Sequence, residues 1–220
     1  MTGPEIKKMW SIFAVGESSV LELRALWPKG VGATQPPVNK HFCAKSYATR
    51  DDVRAAFERE ALRLNVEGYN IYIVMNPIKP EFSGSAATDA DVDFRDLLLI
   101  DIDRSGDTTV PATEAELDAA KQVADAIEAF MDTRGYADPI RVMSGNGHHL
   151  YYVLKDVPNT PEMKKEVQKL LKNLAEKFDT NMVKIDTGVF NASRITKVPG
   201  TIARKGMESV GRPYRMAVVL

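Results

Sequence analysis

Asp101 and Asp103 close the run Leu-Leu-Leu-Ile-Asp-Ile-Asp at 97–103. A short apolar stretch ending in acids reads as a buried β-strand carrying carboxylates out at its C-terminal end. Strand alternation puts Asp101 and Asp103 on one face and Leu98, Ile100 and Ile102 on the other. Two carboxylates so placed repel each other unless a cation sits between them or one keeps its proton. A hard divalent ion, Mg²⁺ or Mn²⁺, suits such oxygen donors. A lone Asp-x-Asp is more often a solvated pair, so the assignment depends on other residues. Asp186, in Val-Lys-Ile-Asp-Thr-Gly, ends another expected strand. Three carboxylates on one sheet face would serve a two-metal site, one ion activating an attacking hydroxyl and the other steadying leaving phosphate oxygens.

Two further stretches fit a phosphate substrate. In Ser144-Gly145-Asn146-Gly147-His148-His149, the glycines permit a tight turn and let backbone N–H groups approach a phosphate. His149 shares a strand face with Tyr151 and looks out beside the turn, with His148 as its spacer. Asn-Gly is also an ordinary hairpin turn, and a histidine beside one is often merely exposed. The third stretch runs from Asn191 through Arg194, Lys197, Pro199 and Gly200 to Thr201, with Arg204 and Lys205 beyond. Arg194 would meet triphosphate oxygens through its planar fork and Lys197 as a point charge, with Asn191 and Lys205 as further phosphate contacts. The competing reading is a solvated basic loop. Upstream, Lys40 and His41 lie in a basic stretch interleaved with Phe42 and Tyr47, a candidate contact for a single-stranded template. An ordinary strand with a polar outer face competes with that assignment.

Charge distribution sharpens the picture. The 220 residues carry 29 basic and 30 acidic side chains, a formal charge of -1, so no global polycation announces nucleic acid. Residues 81–120, however, hold eleven acids against two bases, and residues 184–220 hold seven bases against two acids. One segment wants a cation and the other an anion, which a metal-bound polyphosphate would satisfy together. The one cysteine, Cys43, excludes an internal disulfide and a cysteine-based zinc site and suits a reducing cytosol. Lys7-Lys8 and the apolar residues after them are too short for a signal peptide, and no stretch approaches a membrane span, so a cytoplasmic protein is expected.

The elements that must position these residues follow from capping and periodicity. Ser19-x-x-Glu22 has the form of a capping box, predicting a short helix stopped by Pro28, with a Gly/Pro-rich loop over 29–39 after it. A strand is expected at 41–47, a helix at 51–65 with Val53, Ala56, Phe57, Ala61 and Leu64 on one stripe, and a strand at 69–75. Residues 80–93 form a polar loop. The second half predicts strand 97–103, a helix opened by the Thr113-x-x-Glu116 box, strands at 140–143 and 149–154, a helix begun by Thr160-Pro161 and a strand at 183–186. That order is β-α-β-β-α-β, the ferredoxin-like or RRM-like unit, with helices on one face only. Leu97 and Leu99 on the other face need cover, assigned to the N-terminal αβ module. The expectation is therefore an α+β chain: one catalytic domain over 1–220, with an N-terminal αβ module (1–93) and an RRM-like catalytic module (94–220) forming two layers around a central cleft. The apolar end, Ala-Val-Val-Leu220, reads as a strand beginning or continuing in a longer protein.

Asp101-Ile-Asp103, the Ser144–His149 turn and Ile185-Asp186, in that order, resemble the three motifs of the archaeo-eukaryotic primase superfamily. The segment Arg194-x-x-Lys197-x-Pro199-Gly200-Thr201 is similar to the version in plasmid- and phage-borne primase–polymerases. The resemblance covers about 97–206, and over 1–90 it is a matter of layout. It implies template-directed nucleotidyl transfer: a DNA primase or polymerase making or extending primers on single-stranded DNA from NTPs or dNTPs, for a plasmid, phage or other mobile element. Asp101, Asp103 and Asp186 would hold Mg²⁺ or Mn²⁺. Ser144, Gly145, Gly147, His149, Arg194 and Lys197 would hold the nucleotide's phosphates. A helicase or accessory priming domain would lie in the same longer protein. Many relatives carry a zinc element; with one cysteine and three histidines, none is expected here. The alternatives are a nucleotidyl cyclase-like palm, which needs no template, and a non-catalytic RRM-like module. The latter stacks bases on aromatic residues where this sheet offers acids.

Overall fold

The structure, a computed structural model, describes residues 3–220. In chain order its elements are α1 (Gly3–Lys7), β1 (Val20–Leu26), β2 (Val38–Cys43), α2 (Arg50–Val66), β3 (Asn70–Val74), β4 (Phe94–Arg104), α3 (Glu114–Asp132), β5 (Ile140–Met143), β6 (Gly147–Pro158), α4 (Pro161–Phe178), β7 (Val183–Ile185), β8 (Ile195–Lys197), β9 (Ile202–Ala203), β10 (Arg215–Met216) and β11 (Val218–Val219). The chain is mixed α+β with antiparallel sheets. No helix among the described residues is long and apolar enough to cross a membrane.

The acidic run lies in the longer strand β4, inside a five-stranded sheet ordered β11-β5-β6-β4-β7. Leu98, Ile100 and Ile102 are buried on one face, where α3 and α4 lie. Both helices begin as the caps predict. Thr113 and Glu116 form a reciprocal capping box, and Thr160 Oγ1 accepts from Met163 N at 3.2 Å with Pro161 in the first turn. The apolar stripe of α3, Leu117, Ala120, Ala124, Ile127 and Met131, is buried throughout.

A second sheet, ordered β2-β1-β3-β8, packs against α2. Its central strand β1 corrects the helix expected after Ser19. Val20, Leu21, Leu23 and Ala25 are buried between two hydrogen-bonded neighbours, and burial there outweighs a local capping signal. Glu22 is wholly buried instead of capping a helix, taking His41 Nε2 at 3.0 Å, Ala87 N at 2.7 Å and an Arg24 ion pair. The strand expected at 41–47 begins earlier, at Val38, and turns into a 3₁₀ turn at Ala44–Ser46. Strand β8 comes from the second half of the chain, yet it pairs with β3, as Tyr72 opposite Lys197 and Ile73 opposite Thr196. This crossing brings the basic segment over the acidic sheet.

Asp89 fastens the 80–93 loop to that crossing. Its Oδ1 accepts from Ser193 N at 3.0 Å and Ser193 Oγ at 2.9 Å, and its Oδ2 takes Lys164 Nζ at 2.8 Å. Burial opposes its ionisation, but Lys164 and the two Ser193 donors outweigh it and bring the carboxyl down to about 2. The native carboxyl releases its proton more readily than the unfolded one. The pairing therefore stabilises above the ordinary carboxyl range, and that stability is lost as pH falls toward 2. Asp89→Asn is expected to lower the melting temperature at pH 7 by an amount corresponding to roughly 1–2 kcal/mol. The difference between variant and parent should fade in melts taken stepwise from pH 5 to 2.

Candidate active site

A cleft of about 700 Å³ opens between the two sheets, and its lining holds Asp101, Asp103, Asp186, Ser144, His149, Arg194, Lys197 and Lys205 together. Asp101 and Asp103 project from β4. The register that pairs Ile102 with Ile185 sets Asp186 opposite Asp101, and Asp186 N donates to Asp101 O at 2.9 Å. Residues directly opposite in an antiparallel pair share a face, so Asp186 lines the same cleft as Asp101 and Asp103 without its carboxylate closing on theirs. The Asp186 carboxylate is already engaged: Oδ1 accepts from Gly188 N at 2.7 Å and Oδ2 from Arg194 Nη2 at 3.2 Å.

The acid pair on β4 is electrostatically short of a cation. Burial and the neighbouring Asp101 carboxylate push the Asp103 carboxyl up to about 6. Burial also pushes at Asp101, but His149, Arg194 and Lys205 outweigh it and hold that carboxyl below its ordinary value. Such a pair of hard oxygen donors fits a divalent ion. Among the described residues no three His, Cys, Asp or Glu side chains stand close enough together to form a complete ligand set. Asp186 would join the other two only by loosening its hold on Arg194.

The glycine turn lies where β6 begins beside the end of β4. Ser144 N and Oγ both donate to Gly147 O, at 2.9 and 3.2 Å, so the Ser144 hydroxyl closes the turn and borders the cleft. Gly145 has φ +100°, where side chains are disfavoured, and a Cβ there would press on Ala203 at 2.5 Å. At Gly147 a Cβ would collide with Ile102 O and lie 2.8 Å from Asp103 Oδ1. Gly147→Ala is therefore expected to displace Asp103 and cost about 1–3 kcal/mol of stability. A thermal melt read beside the incorporation assay described below checks both effects. His149, opposite Asp101 in the β4–β6 register, brings Nε2 within 3.4 Å of Asp101 Oδ1. His148 faces the other way and is buried, and burial with Arg141 nearby brings its imidazole down to about 4.

On the opposite wall, Lys197 is 95% buried, yet among the described residues its ammonium donates one hydrogen bond, to Ile202 O at 3.0 Å, and lies 5.8 Å from the Tyr72 ring. No carboxylate pairs with it among the described residues. Burial, then Arg204, holds its pKa well below the ordinary lysine value. The remaining expected contacts lie elsewhere. Asn191 does not line the cleft; its amide donates to Ser193 Oγ at 3.4 Å and its carbonyl accepts from Arg194 N. Lys40 and His41 sit on the edge strand β2, outside the cleft, with His41 held by Glu22 and its ring tilted against Phe82 at 5.2 Å.

Three lining residues were not assigned a role from the sequence: Tyr72 carried no signal, while Arg204 and Asn146 were read only as members of the basic segment and the glycine turn. Tyr72, on β3, faces Asp101 and Asp103; burial and those two charges push its phenol up to about 12, so it stays a proton donor. Arg204 lines the cleft with a buried Nη1 that has no hydrogen-bond partner. Asn146 Oδ1 accepts from Ala112 N at 2.9 Å and Arg104 Nη1 at 3.4 Å, locking the glycine turn to the start of α3. Only strand pairing and loop packing over long distances bring them in.

No protein-family model matches the sequence, and no curated protein matches it significantly. Solved structures do. The AEP domain of the cyanophage S-2L primase–polymerase (PrimPol) superposes with a TM-score of 0.58 at 17% identity, covering 98% of this chain and 88% of that one. The polymerase domain of Mycobacterium tuberculosis ligase D, in complex with DNA, gives a TM-score of 0.52 at 17% identity, covering 96% and 78%. Both are matched over nearly the whole of this chain, so its fold is the one shared by the phage primase–polymerase AEP domain and the ligase D polymerase domain.

Proposed function

We propose that this chain is a template-directed nucleotidyltransferase, a DNA primase or polymerase that makes or extends primers on single-stranded DNA for a mobile element. The observation that carries the reading is one cleft with carboxylates on its floor and unpaired cations on its facing wall. A nucleoside triphosphate with its divalent ion matches both. The likeness in fold to two enzymes of DNA synthesis and joining supports it. We read β4-α3-β5-β6-α4-β7 as an RRM-like unit, its strands lying side by side as β7-β4-β6-β5.

Asp101 and Asp103 would hold Mg²⁺ or Mn²⁺, with Asp186 completing the set. When bound, the ion supplies charge neutralisation at the phosphoryl oxygens and lowers the pKa of the attacking hydroxyl. The protein's own groups bind and orient. Arg194 exchanges its Asp186 contact for phosphate oxygens, presenting a planar pair of donors. Lys197 and Lys205 add point charges, and the backbone of the glycine turn admits the substrate closely. His149 Nε2 and the Tyr72 phenol both aim at the region above the acids, where a substrate oxygen can accept from them.

The test is incorporation of labelled nucleotides on a single-stranded DNA template, with and without primer, comparing NTPs with dNTPs and Mg²⁺ with Mn²⁺. Template-dependent, metal-dependent products are expected. Cyclic or dinucleotide products formed without template would replace this reading with a cyclase-like one, and absence of product under every condition would overturn it.

A further inference from the structure

His149 is held from behind by two hydroxyls. Its Nδ1 lies 3.0 Å from Tyr151 Oη and 3.4 Å from Thr196 Oγ1, and the two hydroxyls are 2.5 Å apart. The cluster is sealed: Tyr151 is 0%, Thr196 2% and His149 5% exposed. Neither hydroxyl has another hydrogen-bond partner among the described residues. Tyr151 comes from β6 of the acidic sheet and is wedged edge-on against Phe13 at 5.9 Å, whereas Thr196 comes from β8 of the other sheet.

Proton counting decides how the triangle is wired. If Nδ1 carried the hydrogen, it would donate to one hydroxyl and that hydroxyl to the other, and the last O–H would face a nitrogen unable to accept. A buried donor left unpaired costs the full desolvation of that group. If Nδ1 is the acceptor, one hydroxyl donates to it and the other donates to the first. Every proton is then used, and the ring's hydrogen sits on Nε2, beside Asp101 and facing the cleft.

We propose that Tyr151 and Thr196 are positioning residues, clamping His149 between the two sheets in its Nε2–H form so that it presents a donor to the substrate. The role in turnover rests on the nucleotidyltransferase reading; the wiring of the imidazole does not. Burial raises the Tyr151 phenol above its ordinary value, which keeps it a donor.

The test is long-range ¹H–¹⁵N correlation on histidine-labelled protein near neutral pH, combined with the incorporation assay. Wild type should show His149 as the Nε2–H tautomer. Thr196→Ser should keep that tautomer and stay within about twofold of wild-type turnover. The Tyr151→Phe/Thr196→Val double variant, whose Nδ1 has no donor, should shift toward Nδ1–H, with turnover down about 10- to 100-fold, the scale for losing an orienting partner. An Nδ1–H or doubly protonated ring in wild type overturns the proposal, as does a double variant that folds with an unchanged ring. The wild-type spectrum decides whether or not the double variant folds. An Nε2–H ring in a chain with no incorporation activity upholds the clamp and overturns the function assigned to the cleft.

Discussion

Asp103→Asn should lower template-directed incorporation by on the order of 10³-fold, the scale for removing one preorganised charge from a reacting site, while making the metal-free protein more stable. Both effects come from one carboxyl held beside another in a buried place. Its pKa of about 6 means that the native state binds this proton more tightly than the unfolded state does. Its stability contribution is present below the ordinary carboxyl range and lost as pH rises through 6. Near pH 7.5 the wild type therefore carries a penalty, from burial and then from the Asp101 charge, of roughly 3 kcal/mol that asparagine removes, which is about 6–12 °C in melting temperature for a chain of this size. Variant and parent should converge as pH falls below 4. Adding Mg²⁺ or Mn²⁺ should raise the wild-type melting temperature, because an ion that binds only the native state stabilises it by mass action, and should do little for the variant. Equal melting curves across pH, or unchanged incorporation, would remove the acid pair from the mechanism.

The second large effect is expected at Lys197. A buried ammonium with one carbonyl, one aromatic ring and no carboxylate is costly to keep charged. That cost is returned when an anion enters the cleft. Lys197→Met, similar in length and apolar, should hold or raise the melting temperature and raise the KM for nucleotide about 10- to 100-fold, or about 1.4–2.7 kcal/mol. Because burial and Arg204 hold the lysine pKa well below its ordinary value, triphosphate binding to wild type at alkaline pH should take up a proton. Calorimetry in two buffers of different ionisation enthalpy reads this directly. An uptake that survives in Lys197→Met, or a variant with unchanged KM, would show that the phosphates lie elsewhere.

What the sequence determined by itself is local in its physics. A period of two places Asp101 and Asp103 on one face and sends His148 and His149 opposite ways, whatever the rest of the chain does. Reciprocal Thr113–Glu116 capping and the Thr160-Pro161 start depend on atoms a few residues apart, so α3 and α4 lie where those signals put them. The same locality misled at Ser19-x-x-Glu22. Burial between two partner strands, one of them close to residue 70, outweighed a capping pattern, and Glu22 found His41 and Ala87 instead.

Tertiary structure alone decided how the distant pieces meet. The pairing of β8 with β3 lays Lys197 across from Tyr72 and sinks Thr196 against Tyr151. The packing of loops across the cleft leaves Arg204 at its edge and commits Asn146 to Arg104 and Ala112. These contacts join segments whose spacing along the chain carries no period and no cap, and their free energy comes from burial and hydrogen bonding realised only once both sheets are in place. The acids and the candidate cations Arg194, Lys197 and Lys205 could be read from the chain, but their meeting across one cleft, the Tyr72 phenol and the clamp behind His149 required the fold.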